Sequence, residues 1–241
     1  MPIGRPDWYL SGLSQNIASV NDTGELAVRL GSPVNFDRTG KVLYQTTFPT
    51  MANVSFAALN TLLVAPHITP LKFKYGCSSV HATIDNGIAN GLNFSYSDRV
   101  WNNELISTEF GILTDQLPSQ VLISIVRHLP GLRRYFAIKY INGMTDLQVR
   151  KSDGTYETFY DGSNILWPSN IFNTIKLDFN LEDYSYVRYR HNSETYDLSA
   201  YSTFSDTSGV YNFLAVSVSV YASATIDTNV YFDHYILSAD E

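Results

Sequence analysis

The stretch Phe213–Tyr221 constrains the fold of this chain more than any other. Leu214, Val216, Val218 and Val220 alternate with Ala215, Ser217, Ser219 and Tyr221. A period of two puts one set on each side of an extended strand, whereas a helix would scatter both sets around its circumference. The strand therefore buries a branched aliphatic face and turns small, mostly polar residues the other way. The same alternation recurs at Leu92, Phe94 and Tyr96, at Val121, Ile123 and Ile125 within Gln120–Arg127, and at Ile175, Leu177 and Phe179 within Ile171–Phe179. Further strands are predicted over Val42–Phe48, Leu105–Leu113, Arg134–Ile141, Asp146–Lys151, Tyr156–Tyr160, Tyr184–Arg190, Thr195–Leu198 and Asn229–Leu237. Ser152-Asp-Gly-Thr reads as a hairpin turn, because Asp-Gly supplies the positive φ that primed turns need. Met51–Ala65 fits two patterns: Val54, Phe56 and Ala58 alternate, while Val54, Ala58 and Leu62 share a helical face. Pro66 and Pro70 are expected to end it either way. Strands at this spacing, with long helical patterns almost absent, predict an all-β sandwich or barrel.

Residues 1–40 do not share this pattern. They are rich in Gly, Asn, Asp, Ser and Pro, with tight turns expected at Asp22-Thr-Gly and Arg38-Thr-Gly-Lys. The reading is an extended N-terminal arm, residues 1–40, that docks on the body or on a neighbour. Residues 41–241 then form one sandwich domain.

Charge and cysteine content remove several function classes. The net charge is −7, with no basic surplus to neutralise phosphates, so no nucleic-acid partner is expected. The local group Arg127, Arg133, Arg134 and Lys139 reads as a solvated strand face. No window approaches the roughly 18 apolar residues of a membrane helix, so no membrane partner is expected. Cys77 is the single cysteine, which rules out an internal disulfide and a Cys-rich metal site. The start MPIGRPDWYL lacks an apolar signal core, so synthesis in a cytoplasm is expected.

No complete catalytic constellation is present. Glycoside hydrolysis needs two facing carboxylates. Glu104 and Glu109 are on opposite faces by parity, Glu157 and Asp161 share parity across an expected turn, and Glu182-Asp183 sits in a turn. All read as solvated surface charge. Cys77 and His81 fall in an expected loop, there is no Gly-x-Ser-x-Gly elbow, and the five histidines show no zinc spacing. The expectation is therefore no catalytic residue and no enzyme.

Binding chemistry is better represented. Trp101-Asn102-Asn103 and Trp167-Pro-Ser-Asn170 combine an aromatic face with amides, the chemistry of a sugar contact. The competing account is that each Trp plugs the sandwich edge. No cofactor is required by any motif. Ca2+ is the ion that the loop clusters at Asp85, Asp227 and Asn229 would suit, with turn formation as the competing account.

Three stretches resemble the concanavalin A-like (laminin-G-like) lectin superfamily. Phe172-Asn-Thr-Ile-Lys-Leu-Asp-Phe-Asn-Leu-Glu-Asp-Tyr-Ser-Tyr-Val is similar to its adjacent strand pair, Glu194-Thr-Tyr-Asp-Leu-Ser to its following short strand, and Val230-Tyr-Phe-Asp-His-Tyr-Ile-Leu-Ser to its closing strand. The resemblance implies a jelly-roll β-sandwich. Gly4-Arg-Pro-Asp-Trp, with Gly24-Glu-Leu-Ala-Val-Arg-Leu-Gly-Ser and Asp37-Arg-Thr-Gly-Lys-Val-Leu-Tyr, is similar to the N-terminal arms of tailed-bacteriophage structural proteins. That implies a virion component (capsid decoration, head fibre or tail) that forms homo-oligomers, binds other capsid or tail proteins and contacts cell-surface glycans. Arg5, Asp7, Trp8 and Tyr9 are the expected assembly residues. The alternatives are a free carbohydrate-binding module and a glycoside hydrolase or lyase of the same fold.

Overall fold

The computed structural model describes residues 40–48, 50–51, 53–74, 78–99, 105–141, 145–162, 167–207 and 209–240. The predicted arm, with Arg5, Asp7, Trp8 and Tyr9, lies outside the described residues up to Gly40. Sixteen strands follow one another: β1 Gly40–Thr46, β2 Val54–Leu59, β3 Leu62–Thr69, β4 Ser79–Ile84, β5 Gly91–Arg99, β6 Leu105–Thr114, β7 Gln120–Leu129 and β8 Leu132–Ile141, then β9 Asp146–Arg150, β10 Tyr156–Asp161, β11 Asn173–Asn180, β12 Tyr186–His191, β13 Glu194–Asp197, β14 Phe204–Thr207, β15 Phe213–Tyr221 and β16 Thr228–Asp240.

These strands form two eight-stranded sheets. The first runs β13-β12-β11-β6-β16-β4-β3, with β1 also paired to β16. The second runs β10-β9-β8-β7-β15-β5-β2, with β14 also paired to β8. Every strand pair is antiparallel. The last two strands, β15 and β16, sit in the middle of different sheets, so the architecture is a jelly-roll sandwich, as the alternation predicts.

The alternating aliphatic residues face the space between the sheets. Leu214, Val216, Val218 and Val220 of β15 lie beside Leu92, Phe94 and Tyr96 of β5 and Val121, Ile123 and Ile125 of β7, all buried. Ile106, Phe110 and Ile112 of β6 and Phe232, Tyr235 and Leu237 of β16 oppose them. Aromatic rings join the sheets: Phe94 meets Phe110 edge-on at 5.6 Å and Phe232 at 5.8 Å, and Phe136 meets Phe179 at 4.6 Å. Such pairs contribute about 0.5–1.5 kcal/mol each beyond simple burial.

One ambiguity resolves and two expectations need correction. The described residues of Met51–Ala65 follow the alternating pattern: they contain β2 and the start of β3, turned at Asn60, whose φ is 73°. Pro66 lies inside β3 and does not end it. β3 is an edge strand whose register shifts on the N-terminal side of His67, and an edge or bulge tolerates a missing N–H. The basic group is not one solvated face. Arg127 is buried and donates to the Asn212 side chain at 2.9 Å, and Arg134 covers the Tyr184 ring, while Arg133 and Lys139 point outward.

Candidate functional site

The two outward faces differ in what they offer a ligand. On the first sheet the outward row is charged yet closed. Glu109, Asp178, Lys176, Arg190, Asp233 and His234 are all buried. Glu109 is therefore no surface carboxylate: its Oε1 lies 3.2 Å from His234 Nε2, while His234 Nδ1 lies 3.2 Å from Asp233 Oδ2. Two acceptors on one imidazole require two N–H donors, the imidazolium form. Burial opposes that charge, but the hydrogen bonds and charges of Asp233 and Glu109 outweigh it, and the net shift of His234 is upward. Lys74 spans the row, its N–H donating to Asp233 at 2.7 Å and its Nζ to Thr174 Oγ1 at 3.1 Å. Burial pulls its ammonium down, partly countered by Glu109 and Asp233. Farther along, Asp178 is paired with Arg188 and with Arg190. Buried pairs of this kind fix geometry more than they add stability.

The outward face of the second sheet carries small and polar residues, of which Ser55 is exposed, Ser95, Ser124 and Ser217 half-buried, and Ala137 and Ser219 buried. Its floor is a cross-strand row of Ser55, Ser95, Ser217, Ser124 and Ala137, each opposite the next. The neighbouring row is Ala57, Asn93, Ser219, Leu122, Lys139 and Gln148. The small-residue face of Phe213–Tyr221 thus becomes the centre of a shallow polar floor. Ser219 Oγ donates to Asn93 Oδ1 at 2.9 Å, which fixes the amide. Aromatic and cationic groups border the floor on one side. Lys139 Nζ sits 4.2 Å from the Tyr156 ring centre, and Arg150 lies over Tyr135 and Phe204. Burial lowers the Lys139 pKa and raises that of Tyr156. Arg133 is held by Asp206 through two hydrogen bonds of 2.8 and 2.9 Å. Lys139, by contrast, has no carboxylate partner among the described residues. The outward positions of β2, β5, β7, β8 and β15 carry no carboxylate. The bulge between Thr158 and Tyr160 breaks the parity of Glu157 and Asp161, setting Glu157 opposite Val149 and Asp161 opposite Asp146.

The sequence-predicted site residues that the structure describes fall elsewhere. Trp167 is wholly buried, its indole N–H donating to Thr114 Oγ1 at 3.1 Å and its ring stacked on His191, so it offers no face to a sugar. Trp101, Asn102 and Asn103 lie outside the described residues, as does Cys77. His81 is in β4, not in a loop. Asn170 and Asn229 do meet, through Asp115. Asn229 donates its N–H and Nδ2 to the Asp115 carboxylate at 2.8 and 2.6 Å, and Asn170 Nδ2 donates to the Asp115 carbonyl at 3.2 Å. The Asn229 side-chain oxygen accepts from Thr83 and His81 at 2.8 and 2.9 Å. Asp227 Oδ1 accepts from Asn86, and Asp85 contributes its carbonyl to Asn90. The proposed calcium ligands are therefore engaged in turn and rim hydrogen bonds, and they form no group of three or more acidic, His or Cys ligands among the described residues. Sequence reasoning missed the polar floor. The signal was the small-residue face of Phe213–Tyr221, whose partners across the sheet could not be assigned without the register.

No protein-family model and no curated protein matches the chain. Solved structures do resemble it. An endo-β-1,4-glucuronan lyase from the fungus Trichoderma reesei superposes with a TM-score of 0.53 at 11% identity, over 83% of this chain and 96% of that one. Peanut lectin gives 0.49 at 9% identity, over 81% and 96%. A carbohydrate esterase from the Shiga toxin-encoding bacteriophage phi24B gives 0.48 at 10% identity, over 84% and 100%. At these identities the likeness concerns the fold. The chain has the all-β, concanavalin A-like jelly-roll architecture, and a fold of this kind does not by itself assign a function.

Proposed function

We propose that this chain is a non-enzymatic glycan-binding protein that lays an extended saccharide across the outward face of the second sheet. The observation that carries the reading is the serine–asparagine floor flanked by Lys139 over Tyr156. Hydroxyls and amides match a polyhydroxylated chain, a Tyr ring at the border supplies apolar contact, and an ammonium without a counter-carboxylate suits an acidic sugar. The outward positions of β2, β5, β7, β8 and β15 lack the facing carboxylate pair that hydrolysis uses, and this supports binding as the reading. A glycan array carrying neutral and uronate-containing oligosaccharides tests it. The wild type should bind, Ser217→Trp should block binding by filling the floor, and Lys139→Ala should weaken acidic glycans selectively. Silence of the folded wild type, or binding indifferent to both substitutions, would sink the reading.

The N-terminal resemblance favours a setting for this activity: display in many copies on a tailed-phage particle, where weak sites act together. On this reading residues 1–40 dock on capsid or tail proteins or on a sister subunit. Deleting them should abolish particle binding and leave glycan binding intact. Undiminished particle binding would refute the docking role.

A further inference from the structure

We infer that His67 and His81 form a binding site for a divalent transition-metal ion of the zinc class on the edge of the first sheet. The two residues are a direct cross-strand pair between β3 and β4. His67 is exposed and His81 is half-buried. Their hydrogen bonds fix both tautomers. His67 Nδ1 lies 3.0 Å from the Ala65 carbonyl, which can only accept, so Nδ1 carries the hydrogen. His81 Nε2 lies 2.9 Å from Asn229 Oδ1. That atom is the carbonyl oxygen of the amide, because the other end, Nδ2, donates to the Asp115 carboxylate. His81 Nε2 therefore carries its hydrogen too. The remaining nitrogens, His67 Nε2 and His81 Nδ1, face each other at 3.4 Å. In the neutral rings both are lone pairs, and two acceptors do not hold one another.

A cation between them resolves the conflict. Two imidazole nitrogens at about 2.0–2.1 Å from a tetrahedral zinc stand about 3.3–3.4 Å apart, the spacing already present. The site also has the outer supports that orient metal-bound imidazoles: a carbonyl behind His67, and an amide anchored to a carboxylate behind His81. Tyr231 stacks on His81 at 4.5 Å and sets the ring plane. Water or an exogenous ligand would complete the coordination. The site uses no residue of the proposed glycan face, so the two readings stand or fall separately.

The test is a Zn2+ titration of the full chain in a Cys77→Ser background, followed by long-range 1H–15N spectra of the imidazoles. The expected result is one saturable site that shifts His67 Nε2 and His81 Nδ1 and leaves His128, His191 and His234 unmoved. His67→Ala and His81→Ala should each abolish it. Asn229→Ala should weaken it by about 10–100-fold through loss of the outer support. Absence of any shift, with a proton shared between the rings instead, would overturn the inference. So would Zn2+ binding that survives the His67→Ala, His81→Ala double substitution.

Discussion

Gly111→Ala should destabilise this protein even though the same change in an ordinary strand stabilises it. Gly111 lies between Thr174 of β11 and His234 of β16 on the outward face of the first sheet. Its backbone is not in the left-handed region, so alanine meets no conformational penalty there. Relief of glycine's entropy cost alone would add roughly 0.5–1 kcal/mol of stability. The added Cβ, however, would stand 2.5 Å from His234 Cε1 and closer still to Nδ1. His234 is wholly buried and cannot retreat while it bridges Glu109 and Asp233. Overpacking costs about 1–3 kcal/mol, and displacing one member of a buried charge network about 3–5 kcal/mol. Set against the glycine relief, these costs give an expected net loss of about 3–7 kcal/mol, read as a lower urea midpoint at unchanged slope. A cycle with His234→Ala isolates the cause. In that background the ring is gone, and Gly111→Ala should become neutral or slightly stabilising. An equal loss in both backgrounds would refute the steric argument.

His191 gives a pH prediction of defined sign. Burial pushes its pKa down from 6.5 to about 4. Between those values the unfolded chain binds more protons, so stability present above pH 6.5 falls as pH drops towards 4, by about 3 kcal/mol in all. His191→Gln should flatten that acid limb in pH-dependent urea melts; a limb unchanged in the variant would point to another group. His234 has the opposite sign, its pKa being raised, so its contribution is present below pH 6.5 and is lost as pH rises through the higher folded value. The hydroxyls of Tyr140 and Tyr189 are hydrogen-bonded to each other in the buried core. Tyr189→Phe should cost about 1–3 kcal/mol by stranding Tyr140, and the double Phe variant should recover much of it, as thermal melts would show. A double variant worse than the sum of the singles would contradict this.

Much of the fold was legible because period-two burial is a local property. Phe213–Tyr221 was predicted with the boundaries it has, and most other strands within a few residues. The failures share a physical origin. Pro66 reads as a terminator only when the strand is assumed to be central, and edge position is a tertiary fact. Glu109 reads as solvated because its own strand gives no hint that His234, far along the chain, will lie across Gly111. Trp167 followed by Pro-Ser-Asn looks like a sugar-contacting loop, yet Thr114 and His191 complete a pocket for the ring inside the sandwich. The glycan face was hidden for the same reason. Four serines on four strands become one row only when the register is known.

The placement of β15 and β16 has a consequence for how the chain is made. Without β15, the second sheet separates into a β10-β9-β8-β7 half and a β5-β2 pair; without β16, the first separates into β13-β12-β11-β6 and β4-β3, and β1 has no partner. A ribosome must therefore release Phe213–Asp240 before either sheet can close. Until then the nascent chain carries several unpaired strand edges at once, a state dominated by non-local contacts still to be formed and open to aggregation. Folding is expected to be slow, and truncation within β16 should split the first sheet, while truncation within β15 should split both.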